Sequence, residues 1–87
     1  MVFLPNDYII YKDDIGEEMY FIIEGEVQIL APNEKSVLRT LKEGQYFGEL
    51  ALFKKSSKRM CSVISKSFCK LYMLKKTDLF EILVKFP

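Results

Sequence analysis

Short runs of β-branched, aromatic and other apolar residues recur along most of the chain, each bounded by turn residues. They predict strands at residues 7–12, 18–25, 26–31, 36–41, 60–65 and 68–74. Many short strands at a spacing of about 8–12 residues are typical of all-β domains. The pattern therefore predicts a mainly β fold, a small β-barrel or jelly roll (double-stranded β-helix).

Turn residues between the runs indicate how the strands connect. Asn6, in the turn at residues 5–7, is a residue that tolerates a positive φ. Glu24-Gly25 lies between two apolar runs, which is a hairpin signal. We therefore expect the strands on either side of Gly25 to pair with each other.

Two segments depart from the strand pattern. Glu49 to Phe53 predicts one short helical turn. After residue 74, Thr77-Asp78 can cap a helix whose apolar positions have helical period, and we expect that apolar face to pack on the barrel. The apolar positions are Leu79, Phe80, Ile82, Leu83 and Phe86.

The chain has 87 residues, which fits a single domain covering residues 1–87. It starts shortly before the first predicted strand and ends within the predicted helix, so we interpret it as a fragment of a larger protein. Its longest uncharged run, residues 27–33, is too short to cross a bilayer, and no signal peptide pattern is present. We expect a soluble, cytoplasmic domain without direct membrane contact.

The composition excludes several kinds of chemistry. The chain has no histidine, which excludes the usual zinc sites and Ser-His or Cys-His catalysis within it. Cys61 and Cys69 lack CxxC spacing, so we interpret them as reduced core cysteines, although a disulfide remains an alternative. We expect the domain to have no enzymatic activity and to bind no metal and no cofactor.

The charges are distributed unevenly. Net charge is +1, which disfavours a nucleic-acid partner. Residues 1–49 carry a net charge of −6 and residues 50–87 a net charge of +7. The positive half is either an ordinary solvated lysine face or a local field that attracts one small anion.

One stretch, "YFGELALFKKSSKRMCS" from Tyr46 to Ser62, combines residues that suit a sugar phosphate. Gly48 permits close backbone approach, and the free N–H groups of the turn after it favour an anion. Glu49 is suited to accept hydrogen bonds from a hydroxyl, and the planar fork of Arg59 is suited to two phosphate oxygens. The alternative from the residues alone is an ordinary salt bridge between Glu49 and Arg59.

"YFGELAL" with a downstream "R-x-x-S-V" resembles the phosphate-binding cassette of cyclic nucleotide-binding domains. "GEEMYFIIEGEVQIL" resembles the first hairpin of that family, and "LKEGQYFGE" resembles its approach to the cassette. The tail "FCKLYMLKKTDLFEILVKFP" is most similar to cyclic-nucleotide-gated and hyperpolarisation-activated cation channels. The resemblance covers nearly the whole chain in order.

The resemblance implies a role for each matching residue. Glu49 would bind the ribose 2′-hydroxyl, and Arg59 would pair with the exocyclic phosphate oxygen. Gly48 and the amides of Leu50 and Ala51 would line the cyclic phosphate and ribose. Leu41 would contact the purine.

The chain also departs from the family pattern. Met60 stands where the family has alanine, or a threonine that helps to hold guanine, which favours cAMP over cGMP. Asn6 and Asp13 replace glycines at two turns, where both residue types are tolerated. The second C-terminal helix that covers the base in the family, and its N-terminal helix, lie outside these 87 residues.

These observations favour a regulatory domain that binds cAMP or cGMP and gates a cation channel, tetrameric in the parent protein. Two alternatives remain within the family. One is the regulatory domain of a cyclic-nucleotide-dependent protein kinase, and the other is a degenerate structural module that binds no nucleotide. An enzyme of the related cupin-like barrels would need histidine ligands that the chain lacks.

Overall fold

The computed structural model describes residues 1–49 and 58–85. Within these residues the chain forms short strands followed by one helix. They are β1 (Val2–Phe3), β2 (Tyr8–Ile10), β3 (Glu18–Glu24), β4 (Glu26–Leu30), β5 (Val37–Lys42), β6 (Tyr46–Phe47), β7 (Val63–Ser65), β8 (Cys69–Lys75) and α1 (Lys76–Lys85).

The strands form two four-stranded antiparallel sheets, ordered β1-β8-β3-β6 and β2-β7-β4-β5. Consecutive strands lie in opposite sheets throughout, except that β4 and β5 pair with each other. This alternation between two facing sheets is the jelly-roll arrangement. The predicted fold class is confirmed.

The core lies between the two sheets and is built from the inward-facing positions of most strands. Tyr20 of β3 and Phe47 of β6 stack there, with ring centroids 5.3 Å apart. Cys69 is fully buried, Cys61 is half-buried, and both cysteines are free. The cluster comprises Ile10, Tyr20, Ile22, Val27, Leu41, Phe47, Val63, Cys69 and Leu71.

The predicted hairpin at Glu24-Gly25 is wrong, since β3 and β4 belong to different sheets. Gly25 is the single residue between them, and its φ of 98° is in the region that favours glycine. A Cβ at this position would lie 2.3 Å from the carbonyl oxygen of Phe68. The tight connection is therefore a crossing between sheets, which local sequence cannot distinguish from a hairpin turn.

Some of the observed strands begin or end at residues other than those predicted. The strand predicted for residues 60–65 begins only at Val63, and the two-residue strands β1 and β6 were not foreseen. Asn6 and Asp13 adopt φ values of 71° and 73°, as their turn chemistry predicts. The helical turn predicted from Glu49 to Phe53 lies almost wholly outside the described residues.

Helix α1 begins at Lys76, so Thr77 is already helical and is not the cap. Leu79 is half-buried, but Phe80 and Leu83 are 69% and 56% exposed. The expected packing of these two side chains on the barrel is therefore wrong, and Phe86 lies outside the described residues. Among the described residues, no helix has the length and apolar character needed to span a membrane.

Candidate functional site

The backbone of Arg59 is fixed by the turn that precedes β3. The amide of Arg59 donates to the carbonyl oxygen of Asp14 at 2.7 Å, and the amide of Asp13 donates to the carbonyl oxygen of Arg59 at 2.8 Å. Ile15 and Lys58 extend this pairing as an antiparallel bridge. The positive φ of Asp13 lets the turn present both backbone groups to Arg59.

The side chain of Arg59 runs directly over Gly16. A Cβ at Gly16 would lie 2.0 Å from Nε and 2.2 Å from Cζ of Arg59. No other residue type leaves room for the guanidinium in this position, because real Cβ atoms do not approach heavy atoms so closely. Gly16 is therefore part of the site for a steric reason.

The two terminal nitrogens of Arg59 each donate a hydrogen bond to the main chain of a different segment. Nη1 donates to the carbonyl oxygen of Gly48 at 3.1 Å, and Nη2 donates to the carbonyl oxygen of Glu18 at 2.6 Å. A Cβ at Gly48 would lie 2.9 Å from Nη1. We refer to Gly16, Glu18 and Gly48 together as the Arg59 anchor.

Charge within the anchor is partly balanced. Oε1 of Glu18 lies 3.6 Å from Nη2 of Arg59, with side-chain exposures of 30% and 9% respectively. A guanidinium has five N–H donors, of which the two backbone carbonyls take two. The remaining donors and the permanent charge of Arg59 are suited to an anion.

Tyr20 borders this charged pair from β3. Its hydroxyl donates to Oε1 of Glu18 at 3.4 Å. Burial raises the pKa of Tyr20, and the negative charge of Glu18 raises it further, while the charge of Arg59 acts in the opposite direction. The phenol is therefore a neutral donor at physiological pH.

The structure brings some of the predicted site residues together. Gly48 and Arg59 are in direct contact, and Glu49 follows Gly48 as a half-buried residue at the end of the described segment. Leu50 and Ala51 lie outside the described residues. The predicted roles of all these residues stay predictions.

Leu41 and Met60 lie in contrasting environments. Leu41 is 2% exposed and belongs to the core cluster, where Val27 is its strand partner. Met60 is 71% exposed directly after Arg59. Their predicted contacts with a base stay predictions. Within residues 1–49 and 58–85, no three potential metal ligands cluster together.

The sequence reasoning missed Gly16 and Glu18. The salt bridge considered for Arg59 was with Glu49, whereas the carboxylate paired with it in the described part of the chain is Glu18. The sequence predicts Glu18 only as the first residue of a strand, and it lies 41 positions away from Arg59. The sequence signal for these two residues was a glycine followed closely by a carboxylate at the start of a strand. This pattern is too common to identify a site for an arginine.

Comparison with known proteins decides the family. The model of the cyclic nucleotide-binding domain matches residues 1–86. The chain belongs to the cyclic nucleotide-binding domain family. The Arg59 anchor is thus part of a cyclic nucleotide-binding domain, and its arginine is held by protein contacts.

Curated relatives of this cyclic nucleotide-binding domain are channel subunits. It is 48% identical over 90 residues to human cyclic nucleotide-gated channel beta-1, and 37% identical over 91 residues to human cyclic nucleotide-gated channel alpha-3. A cyclic nucleotide-gated channel of Caenorhabditis elegans is 40% identical over 91 residues. These matches cover 99–100% of the chain but only 7%, 13% and 12% of the three relatives, in the order given.

Proposed function

We propose that this domain binds cAMP or cGMP at the cassette and thereby regulates a cation channel of which it is part. The observation that carries the proposal is the contact of Arg59 with Gly48, which sets a buried permanent cation against the glycine of the cassette. The similarity to cyclic nucleotide-gated channels supports the channel as the regulated protein. In that setting the domain faces the cytosol, acts without enzymatic chemistry of its own, and is present in several copies in a tetrameric channel.

Each part of the nucleotide has a proposed partner. Free N–H groups of Arg59 bind the exocyclic phosphate oxygen, while Glu49 accepts a hydrogen bond from the ribose 2′-hydroxyl. Gly48, with the amides of Leu50 and Ala51, lines the sugar phosphate. Leu41 and Met60 contact the purine.

Regulation follows from the double use of Arg59. The same guanidinium that would bind the phosphate also bonds to the backbone of Gly48 and Glu18. A nucleotide that binds better to one arrangement of these contacts than to another shifts the population of the two. The shift reaches the flanking helices and, through them, the pore.

A second candidate function is a structural module that binds no nucleotide. It is favoured by the 9% exposure of the Arg59 side chain, whose donors already serve Gly48 and Glu18. In this interpretation the arginine only holds the backbone of Gly48 and Glu18 in place. The two functions differ in a single measurable property, saturable nucleotide binding.

The test is calorimetric titration of the chain with cAMP and with cGMP. Arg59→Ala is titrated in parallel, with Arg39→Ala as the control, because Arg39 is an exposed arginine of β5. We expect saturable binding that Arg59→Ala weakens about ten- to a hundredfold and Arg39→Ala leaves within about twofold. Absence of binding by the wild type, or equal losses in both variants, would overturn the proposal.

A further inference from the structure

We propose that the carboxylate of Glu18 is an internal competitor of the cyclic phosphate for Arg59, and that it lowers the affinity of the domain for its nucleotide. The inference rests on the proposed function and concerns a residue outside the cassette. It identifies a position that tunes affinity without contacting the nucleotide.

Glu18 holds Arg59 through two separable contacts. Its main-chain carbonyl accepts a hydrogen bond of 2.6 Å from Nη2, a contact that any residue at this position supplies. Its side-chain Oε1 lies 3.6 Å from the same nitrogen. The carboxylate is therefore not needed to keep Arg59 in place.

The side-chain contact is weak enough to be displaced. A charge-assisted N–H···O bond is about 2.7–2.9 Å long, and this distance is clearly longer. The carboxylate is also 30% exposed, so water solvates it if Arg59 turns to another anion. The carbonyl contact, in contrast, is short and does not depend on the side chain of Glu18.

The competition arises because one buried cation faces two anions. In the free domain Glu18 balances part of the charge of Arg59. A bound cyclic phosphate brings a second negative charge to the same guanidinium. Arg59 attracts this phosphate less strongly because Glu18 already balances part of its charge, and the carboxylate of Glu18 also repels the phosphate. Within residues 1–49 and 58–85, the cation at ion-pair distance from Glu18 is Arg59.

Glu18→Gln isolates this effect. It retains the main-chain carbonyl and nearly the same shape, and it removes the negative charge. Glu17→Gln is the matched control, because Glu17 is the adjacent exposed glutamate and loses the same charge one position away. Glu18→Ala is a second variant that also retains the carbonyl.

We expect Glu18→Gln to raise the affinity for cAMP about three- to tenfold, and Glu17→Gln to change it by less than about twofold. Glu18→Ala changes affinity in the same direction as Glu18→Gln. The measurement is calorimetric titration with cAMP, with displacement of a fluorescent cAMP analogue for variants that bind weakly. Circular dichroism confirms that each variant is folded.

A double-mutant cycle with Arg59→Ala shows whether the effect passes through the arginine. We expect Glu18→Gln to give no gain in the Arg59→Ala background. An equal gain in both backgrounds would indicate repulsion at a distance and would overturn competition for Arg59. An unchanged or weaker affinity of Glu18→Gln alone would also overturn it.

The outcomes for this inference and for the proposed function can be told apart. If the wild type binds cAMP and Glu18→Gln shows no gain, only the competition by Glu18 is refuted. If neither the wild type nor Glu18→Gln binds cAMP, both proposals are refuted together.

Discussion

Nη1 of Arg59 donates a hydrogen bond of 3.1 Å to the carbonyl oxygen of Gly48, eleven positions earlier in the chain. This single bond joins residues at the two ends of the segment from Gly48 to Arg59. The arginine that the sequence predicts to bind a phosphate thus also has a structural contact within the domain. Any movement of its guanidinium towards a ligand is coupled to the position of the Gly48 backbone.

Replacing Gly16 should displace Arg59. In Gly16→Ala the new Cβ would lie 2.0 Å from Nε of Arg59, so the side chain must move away. We expect nucleotide affinity to fall about tenfold and the free energy of unfolding to fall by about 1–3 kcal/mol. Calorimetric titration and urea denaturation measure the two quantities.

Gly44→Ala separates affinity from stability in that experiment. Gly44 has a φ of 84° and nothing within 4 Å of the added Cβ, so the substitution strains the backbone without touching Arg59. We expect it to cost about 1 kcal/mol of stability with affinity unchanged. A parallel loss of affinity in Gly44→Ala would mean that affinity simply follows stability.

Glu49→Gln tests the proposed ribose contact. Removing the charge weakens the hydrogen bond from the 2′-hydroxyl, so we expect about a tenfold loss of affinity for cAMP. The loss should be smaller for 2′-deoxy-cAMP, which lacks that hydroxyl. Titration of both ligands against the wild type and Glu24→Gln, an exposed glutamate of β3, provides the comparison. Equal losses for the two ligands would contradict the assignment.

Met60→Thr should move the preference towards cGMP. The substitution adds a hydroxyl directly after Arg59, at a side chain that is 71% exposed. One added hydrogen bond to guanine is worth about 0.5–1.5 kcal/mol, or about two- to tenfold in the ratio of the two affinities. Met60→Val is the control, because valine has nearly the shape of threonine but lacks the hydroxyl. A shift of the same size in Met60→Val would attribute the change to side-chain size.

Tyr20 should make stability fall at alkaline pH. Burial and Glu18 raise the pKa of Tyr20 above its ordinary value, so above about pH 10 the unfolded state has lost a proton that the folded state still holds. Fewer protons bound in the unfolded state mean that stability declines as pH rises through the pKa of the folded state. Below the ordinary value the contribution is fully present.

The measurement is urea denaturation of Tyr20→Phe between pH 8 and about pH 11. We expect a shallower decline above pH 10 than in the wild type. Tyr46→Phe is the control, since Tyr46 of β6 is 52% exposed. Identical pH profiles for the wild type and Tyr20→Phe would show that another group is responsible.

Much of the fold could be predicted from local patterns. Alternation and β-branched residues located β3, β4, β5 and β8 to within one or two residues, because their inward-facing positions are apolar. Two-residue strands such as β6 have too few positions for a pattern. The pairing partner of each strand was harder to predict. A glycine such as Gly25 gives the same sequence signal whether the chain turns back in a hairpin or crosses to the other sheet.

The candidate site was predictable only in part. Gly48 and Arg59 share one continuous segment, so the sequence could assign both to one candidate site, and the structure brings them into contact. Gly16 and Glu18 belong to another segment, and nothing in their own neighbours indicates an arginine. Their role depends on a long-range contact that only the folded chain creates.

The pairing of β1 with β8 has a consequence for synthesis on the ribosome. Within this domain, Val2 and Phe3 are made well before their partners, Lys70 and Cys69. The sheet they share cannot close until nearly the whole domain has left the exit tunnel. During that interval the edges of β1 and β3 that pair with β8 remain unpaired, and folding must wait for that strand.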